Sequence, residues 1–280
     1  MSEKIFNPLD HSVCLEFPQW LEETAWAGHI PFAMFLIDAL RPRVFVELGA
    51  FRGSSFCAFC QAVKSVKAKT KCYAVDTWQG DAHAGKLEEG VLTKLREHHD
   101  PLYADFSGLV ESTFDDALGN FADGSIDLLH IDGFHTYEVV RRDFLTWQPK
   151  MSSRGIVLFH DTTVRERDFG VWKFWDEVKQ KHLHFEFLHS HGLGVLFVGE
   201  DLPEGLQFLF AANEYQTRVI RNFFNALGER IELAMNYQAQ SERVEELRKY
   251  EAIVQDSRLI RKYHALKTGN LGSLLKKSNG

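Results

Sequence analysis

Two separate apolar runs in this chain each end in carboxylate and imidazole groups. Ile126-Asp-Leu-Leu-His-Ile runs into Asp132, Gly133 and His135, and Gly155-Ile-Val-Leu-Phe runs into His160 and Asp161. Short runs of this kind read as buried strands, and the carboxyl ends of neighbouring strands in an open α/β sheet face one crevice. Two carboxylates with two imidazoles in one crevice suit removal of a proton from a hydroxyl, or a hard divalent cation such as Mg²⁺ or Mn²⁺. Asp132, His135, His160 and Asp161 are therefore the candidate catalytic residues. His135 is the first choice of base and His160 its substitute, with Asp132 and Asp161 either holding a metal or orienting the imidazoles.

The elements that must position them begin at Arg43-Val-Phe-Val-Glu-Leu-Gly-Ala-Phe-Arg-Gly53, a buried strand ending in a tight turn. Gly49 allows backbone to approach a ligand closely, and Ser54 to Val66 read as the helix that follows, with its donor-rich N-terminus in the crevice. The spacing is Glu47-x-Gly49-x-x-x-Gly53 rather than the Gly-x-Gly-x-x-Gly of a nicotinamide site. An acidic group before the first glycine repels phosphate and suits a cationic ligand such as S-adenosylmethionine, which carries an ammonium and a sulfonium. Lys71 to Trp78 forms the second strand, and Asp76 at its end is placed to accept from ribose hydroxyls. The loop Asp76-Thr-Trp-Gln-Gly-Asp-Ala-His-Ala-Gly85 is rich enough in functional groups to bind something. Trp78 offers a stacking surface beside Thr77, and Asp81 and His83 are substrate candidates.

A helix is expected over about 84–99 and a third strand over 109–114, bringing Ser112 and Thr113 to the adenine edge. A short helix near 115–122 and another near 170–181 flank the last parallel strands, the latter after a charged loop, Arg165-Glu-Arg-Asp168. Arg165 is a further substrate contact. Phe185 to His189 and Gly194 to Gly199 read as a hairpin whose connection places His191 on the catalytic side. Residues 1–42 hold two covering helices, about 18–27 and 31–40. Trp20, Trp26 and His29 read first as core aromatics of that cover and otherwise as a lid. After Pro203 a helical apolar stripe thins into a charged stretch, a pattern of a dimerisation arm or linker. Three regions result: 1–42, 43–203 and 204–280.

Composition bounds the function further. A net charge of −7 and a pI near 6.0 in 280 residues argue against a nucleic-acid surface. No apolar run approaches the ~20 residues of a membrane span, and the first residues lack a signal-peptide core, so a cytoplasmic location is expected. The four cysteines fit a reducing compartment. Cys57 and Cys60 lie inside the first helix rather than at its start, and read as buried packing groups.

Four segments together, Val-Glu-Leu-Gly-Ala-Phe-Arg-Gly-Ser, Asp-Thr-Trp-Gln-Gly-Asp, His-Ile-Asp-Gly-Phe-His-Thr-Tyr and Leu-Phe-His-Asp-Thr, resemble methyltransferase domain 24, a family of class I S-adenosylmethionine-dependent methyltransferases. The likeness covers about residues 20–200 and is nearest to members found beside, or fused to, glycosyltransferases of bacterial surface polysaccharides. It implies a Rossmann-like doubly wound α/β fold of seven strands, the last reversed, with N-terminal covering helices and a C-terminal helical arm. It also implies an O-methyltransferase acting on a sugar hydroxyl of a polysaccharide or its precursor, with a glycosyltransferase as a possible partner. By position, Glu47, Gly49, Gly53 and Ser54 would hold the methionine end of the cofactor and Asp76, Thr77, Trp78, Ser112 and Thr113 its nucleoside, with Asp132 a further cofactor contact. Relatives hold Mg²⁺ with acidic groups matching Asp132 and Asp161, whereas His160 stands where some place another acid. The competing readings are a nicotinamide-dependent oxidoreductase on the same topology, and a non-catalytic scaffold that uses its helical arm.

Overall fold

The computed structural model describes residues 7–81 and 85–256 together with Ile260, Tyr263 and 266–268. Seven strands form one sheet: β1 (Val44–Leu48), β2 (Lys71–Asp76), β3 (Ser107–Glu111), β4 (Ile126–Ile131), β5 (Met151–His160), β6 (Leu183–Phe187) and β7 (Leu193–Phe197). Their order is β3-β2-β1-β4-β5-β7-β6, with β7 antiparallel to both of its neighbours. This is the doubly wound sheet with a reversed last strand that the motif set implies. Order reverses at β1, so the ends of β1 and β4 diverge into a crevice, the place where such sheets bind ligands. Phe45, Val46 and Leu48 of β1 and Leu128, Leu129 and Ile131 of β4 are all buried, as strands covered on both faces require.

The helices packed on this sheet are α1 (Ile30–Leu40), α2 (Ser54–Ser65), α3 (Val91–Tyr103), α4 (Phe114–Ala117), α5 (Tyr137–Trp147), α6 (Val171–Val178), α7 (Gln207–Phe210) and α8 (Glu214–Asp256). Several bounds differ from the sequence expectation for local reasons. Residues 18–26 form no α-helix. Backbone N–H groups of Gln19 and Glu22 donate to Gln61 Oε1 and Ser54 Oγ, which ties this stretch to α2 in place of a helix of its own. The helix expected from 84 starts at Val91, because Gly90 adopts φ of 91° and caps it. The stretch before it contains a pair of two-residue strands, Gly80–Asp81 and Gly85–Lys86. The third strand ends at Glu111 because Thr113 Oγ1 accepts from the Asp116 N–H and caps α4.

The chain divides into two compact units, Met1–Glu232 and Leu233–Gly280. The covering helices and residues 204–232 belong to the first, so the boundary falls later than the sequence expectation of 204. Phe224 is the reason: it is buried and packs 5.3 Å from Phe32, 5.4 Å from Phe35 and 5.7 Å from Phe187 between ring centroids. In the second unit residues 233–256 are helical, with Leu233, Tyr237, Val244, Leu247 and Val254 exposed. Among the described residues no helix is long and apolar enough to cross a membrane.

A buried carboxylate, Asp127, holds the sheet at the end away from the crevice. Asp127 accepts from the Arg43 backbone N–H at 2.8 Å, from its Nε and NH2 at 3.0 and 2.8 Å, and from Ser152 Oγ. Burial pushes its carboxyl up, but these donors outweigh it and hold the group below the ordinary carboxylate range. Asp127→Ala leaves the Arg43 backbone N–H and the buried Ser152 hydroxyl without their acceptor, which is expected to cost about 1–3 kcal/mol of unfolding free energy, measurable by urea denaturation.

Candidate active site

The turn after β1 is set by a close approach. Gly49 has φ of 91°, and a Cβ there would lie 2.1 Å from the carbonyl oxygen of Asp132. Only glycine lets the β1 turn sit against the end of β4. Gly49→Ala is expected to cost about 2–4 kcal/mol through left-handed strain and overpacking and to push Asp132 out of place. Chemical denaturation and S-adenosylhomocysteine titration would report the two effects separately. The Asp76 carboxylate ties the same turn from the next strand: Oδ2 accepts from the N–H groups of Ala50 and Phe51 at 2.8 and 2.9 Å, and Oδ1 from that of Trp78 at 2.8 Å.

A cleft of about 800 Å³ opens over these turns. Of the residues singled out from sequence, Gly49, Ser54, Asp76, Thr77, Thr113, Asp132, His135, His160, Asp161, Arg165 and His191 line it. Glu47 does not. It is fully buried beneath the turn, where Oε1 accepts from Ser55 Oγ at 2.6 Å and Oε2 lies 3.4 Å from His130 Nδ1. His130 Nε2 accepts from the Trp26 indole N–H, so its proton is on Nδ1, facing Glu47. Burial raises the Glu47 carboxyl, and the residue holds the first turn of α2 rather than offering a charge to the cleft.

Gly53 also lies off the cleft wall, and a Cβ there would meet Leu95. Trp78 is buried, with its indole N–H donating to the Phe51 carbonyl at 2.9 Å. It braces the glycine turn instead of presenting a stacking face. Ser112 is turned outward, with its hydroxyl on the Thr113 carbonyl. Asp81 falls in the first of the two-residue strands, and His83 lies outside the described residues. Trp26 and His29 are core, as the first of the two readings has it, while Trp20 donates its indole N–H to the Arg52 carbonyl. Cys57 and Cys60 are buried free thiols inside α2.

At the ends of β4 and β5 the four ionisable groups do meet. His135 Nε2 lies 3.0 Å from Asp161 Oδ2 and 3.4 Å from Asp132 Oδ1, and its ring stacks parallel to Phe169 at 4.8 Å and 2°. Burial alone would lower the His135 pKa, but the two carboxylates overcome it and raise the group to about 9. His160 Nδ1 stands 3.3 Å from Asp132 and 3.5 Å from Asp161, while its Nε2 faces the Ser190 carbonyl at 3.1 Å. A carbonyl and two carboxylates only accept, so both nitrogens of His160 donate and the ring has no lone pair for a substrate. The structure therefore removes His160 as a substitute base and makes it a fixed cation between the carboxylates. Its pKa is raised well above the ordinary value, against burial, by Asp161 and Asp132. His191 Nδ1, 3.1 Å from Asp161 Oδ1, adds a third imidazole. Burial would raise Asp132 and Asp161, yet the imidazoles, His160 foremost, hold both far below the usual carboxylate range.

The donor set fits a divalent cation in type and spacing. Ligand atoms of Asp132, His135 and Asp161 lie within 4.8 Å of one another, two hard carboxylates with one imidazole. Repulsion between the carboxylates is offset here by His135 and His160, each of which lies against both.

Sequence reasoning missed Phe169, whose ring plates His135, and Asp143. Asp143 lines the cleft from α5, with Oδ1 3.2 Å from Arg142, Oδ2 unpartnered and the carboxyl pushed up to about 6 by burial. A loop aromatic carries no periodic signal. Asp143, though, sits one helical turn from Val140 and Val139, within an apolar face where a carboxylate stands out.

Residues 46–162 match the family described as a methyltransferase domain. The chain is 47% identical over 196 residues, 70% of its length, to the uncharacterised protein y4gI of Sinorhizobium fredii, and spans 22% of that protein's length. A putative caffeoyl-CoA O-methyltransferase from Staphylococcus aureus shares the fold at 13% identity with a TM-score of 0.50, covering 69% of this chain and 90% of that one. The methyltransferase PaMTH1 of Podospora anserina, solved with S-adenosylhomocysteine bound, aligns at 14% identity and a TM-score of 0.45, over 60% of this chain and 77% of its own.

Proposed function

We propose that this protein transfers the methyl group of S-adenosylmethionine to a hydroxyl, with a sugar hydroxyl of a bacterial surface polysaccharide or its precursor as acceptor. The observation that carries hydroxyl chemistry is the His135–Asp161 pair at 3.0 Å, facing the glycine turn across one cleft. Asp161 accepts the Nε2–H of His135 and orients the imidazole that serves as base, the logic of an orienting carboxylate behind a catalytic imidazole. As the acceptor loses its proton to this imidazole, its oxygen attacks the methyl carbon. The C–S bond breaks toward sulfur, giving the methyl ether and neutral S-adenosylhomocysteine. Asp132 receives the cofactor's ammonium, and Asp76 and Thr77 its ribose. The sugar acceptor is supported by the resemblance of the four motif segments.

A second reading adds Mg²⁺ or Mn²⁺, favoured by the convergence of Asp132, His135 and Asp161. These residues would hold the ion, which when bound supplies positive charge to the forming alkoxide. The exposed apolar groups of Leu233–Gly280 support a role for that unit in binding a second copy or a glycosyltransferase. A chain truncated after residue 232 is then expected to lose self-association or partner cross-links, and an unchanged assembly would end that role.

Calorimetry with S-adenosylhomocysteine tests the core of the reading. Micromolar binding is expected, no comparable binding of NADH, and a loss of at least about tenfold in Asp76→Ala, which removes the carboxylate that shapes the turn and on this reading accepts from the ribose. Binding of NADH in preference to S-adenosylhomocysteine would instead support the oxidoreductase. Mass spectrometry of surface glycans from cells with and without the protein then identifies the methylated sugar.

A further inference from the structure

We infer that the acceptor carries an anionic group, a phosphate or a carboxylate, held by Arg165 and Arg167 at the mouth of the cleft; this rests on the methyl-transfer reading above. The segment that follows β5 contributes Thr163 to Arg167 and Phe169 to the cleft wall. Arg165 donates from NH1 to the Thr162 carbonyl at 3.1 Å, and its guanidinium lies 4.3 Å from the centroid of the Trp172 ring. One of its five N–H donors is used and one face is covered, leaving much of the donor edge open. Arg167, at φ of 49°, sets its guanidinium 5.3 Å from the centroid of Phe169. A guanidinium laid on an aromatic ring is pre-oriented, and its planar fork matches a carboxylate or phosphate.

Deep in the cleft the carboxylates already have partners: Asp132 and Asp161 face His135, His160 and His191, Asp76 three backbone N–H groups, and Asp143 faces Arg142, while Asp115 and Glu166 also line the cleft. Among the described residues no carboxylate comes within ion-pair distance of Arg165 or Arg167, and Glu166 between them pairs with neither. An anion cannot take the deep end, where Asp132 and Asp161 would repel it. It can take the mouth.

The two ends are joined by a single plate. From His135 to Phe169 is 4.8 Å between rings, and from Phe169 to the Arg167 guanidinium a further 5.3 Å. Both His135 and the two arginines line the same cleft, so an acceptor lying along it sets its free hydroxyl at His135 and its anionic substituent at the arginines. The acceptor is thus a phosphorylated or nucleoside-diphosphate-linked sugar, or a uronic acid, and not a neutral glycan.

The experiment titrates the full chain, saturated with S-adenosylhomocysteine and in EDTA without divalent cations, with pyrophosphate and separately with glucuronate, by ligand-observed NMR. At least one probe is expected to bind with an affinity that falls as KCl rises, and to bind at least tenfold more weakly to Arg165→Gln/Arg167→Gln. S-adenosylhomocysteine affinity in that variant stays within twofold, which confirms its fold. Pyrophosphate binding alone assigns a phosphate-bearing acceptor, and glucuronate binding alone a carboxylate-bearing one. Absence of binding by both probes, or equal binding to the double variant, overturns the inference. Should the wild-type chain bind no S-adenosylhomocysteine, the same titrations in its absence still decide the anion site, and only the methyl-transfer reading falls.

Discussion

His135→Ala is expected to slow methyl transfer by about 10²- to 10⁴-fold, the usual worth of a positioned general base, with S-adenosylhomocysteine affinity within about threefold of wild type. The wild-type pH profile carries the same assignment. Asp132 and Asp161 hold His135 at about 9, so at neutral pH most of the enzyme has the imidazolium form, which cannot accept a proton. The active form is the neutral one. The rate at saturating cofactor should therefore climb tenfold per pH unit from about pH 6 and level near 9, rather than near the ~6.5 of an ordinary histidine. In His135→Ala that climb should vanish. A wild-type profile that levels near 6.5, or a full rate in His135→Ala, would remove this residue as the base.

That contrast shows where the sequence is readable and where it is not. The strand ends were legible because an apolar run stopping at a carboxylate is a local pattern, and β1, β2, β4 and β5 each carry one. The meeting of Asp132, His135, His160 and Asp161 followed from topology, since adjacent parallel strands deliver their ends to one crevice. Which way each side chain turns did not follow. Glu47 sits two residues before Gly49 and looked like a ligand for a cation, yet it faces the interior, because Ser55 and His130 are there to receive it. His160 looked like a spare base until the Ser190 carbonyl, from the connection after β6, closed its second nitrogen. Trp78 looked like a stacking surface, but its positive φ of 50° and its bond to Phe51 turn it under the glycine loop. Each of these depends on a partner eight to eighty-three residues away, and no pattern in the immediate sequence encodes that partner.

Asp161→Asn is expected to cost about 10²- to 10⁴-fold in rate, and the way the loss depends on pH and on EDTA separates the two versions of the site. If Asp161 serves to orient the base, the asparagine keeps the shape but removes one of the two charges that stabilise the His135 imidazolium. Removing a charge that raised a histidine lowers it, so the residual activity should level off at a lower pH than wild type even as its plateau falls. EDTA should then leave wild-type activity within twofold, because the His160 imidazolium already stands against both carboxylates. If instead Asp132, His135 and Asp161 hold a divalent ion, His135 is unprotonated as a ligand and the wild-type rise toward pH 9 is absent. EDTA then abolishes turnover and Mg²⁺ or Mn²⁺ restores it. The compensation of both carboxylates by imidazoles favours the first set of outcomes. Loss of activity in EDTA with recovery on adding Mg²⁺ would establish the second, and would move His135 from the role of base to that of ligand.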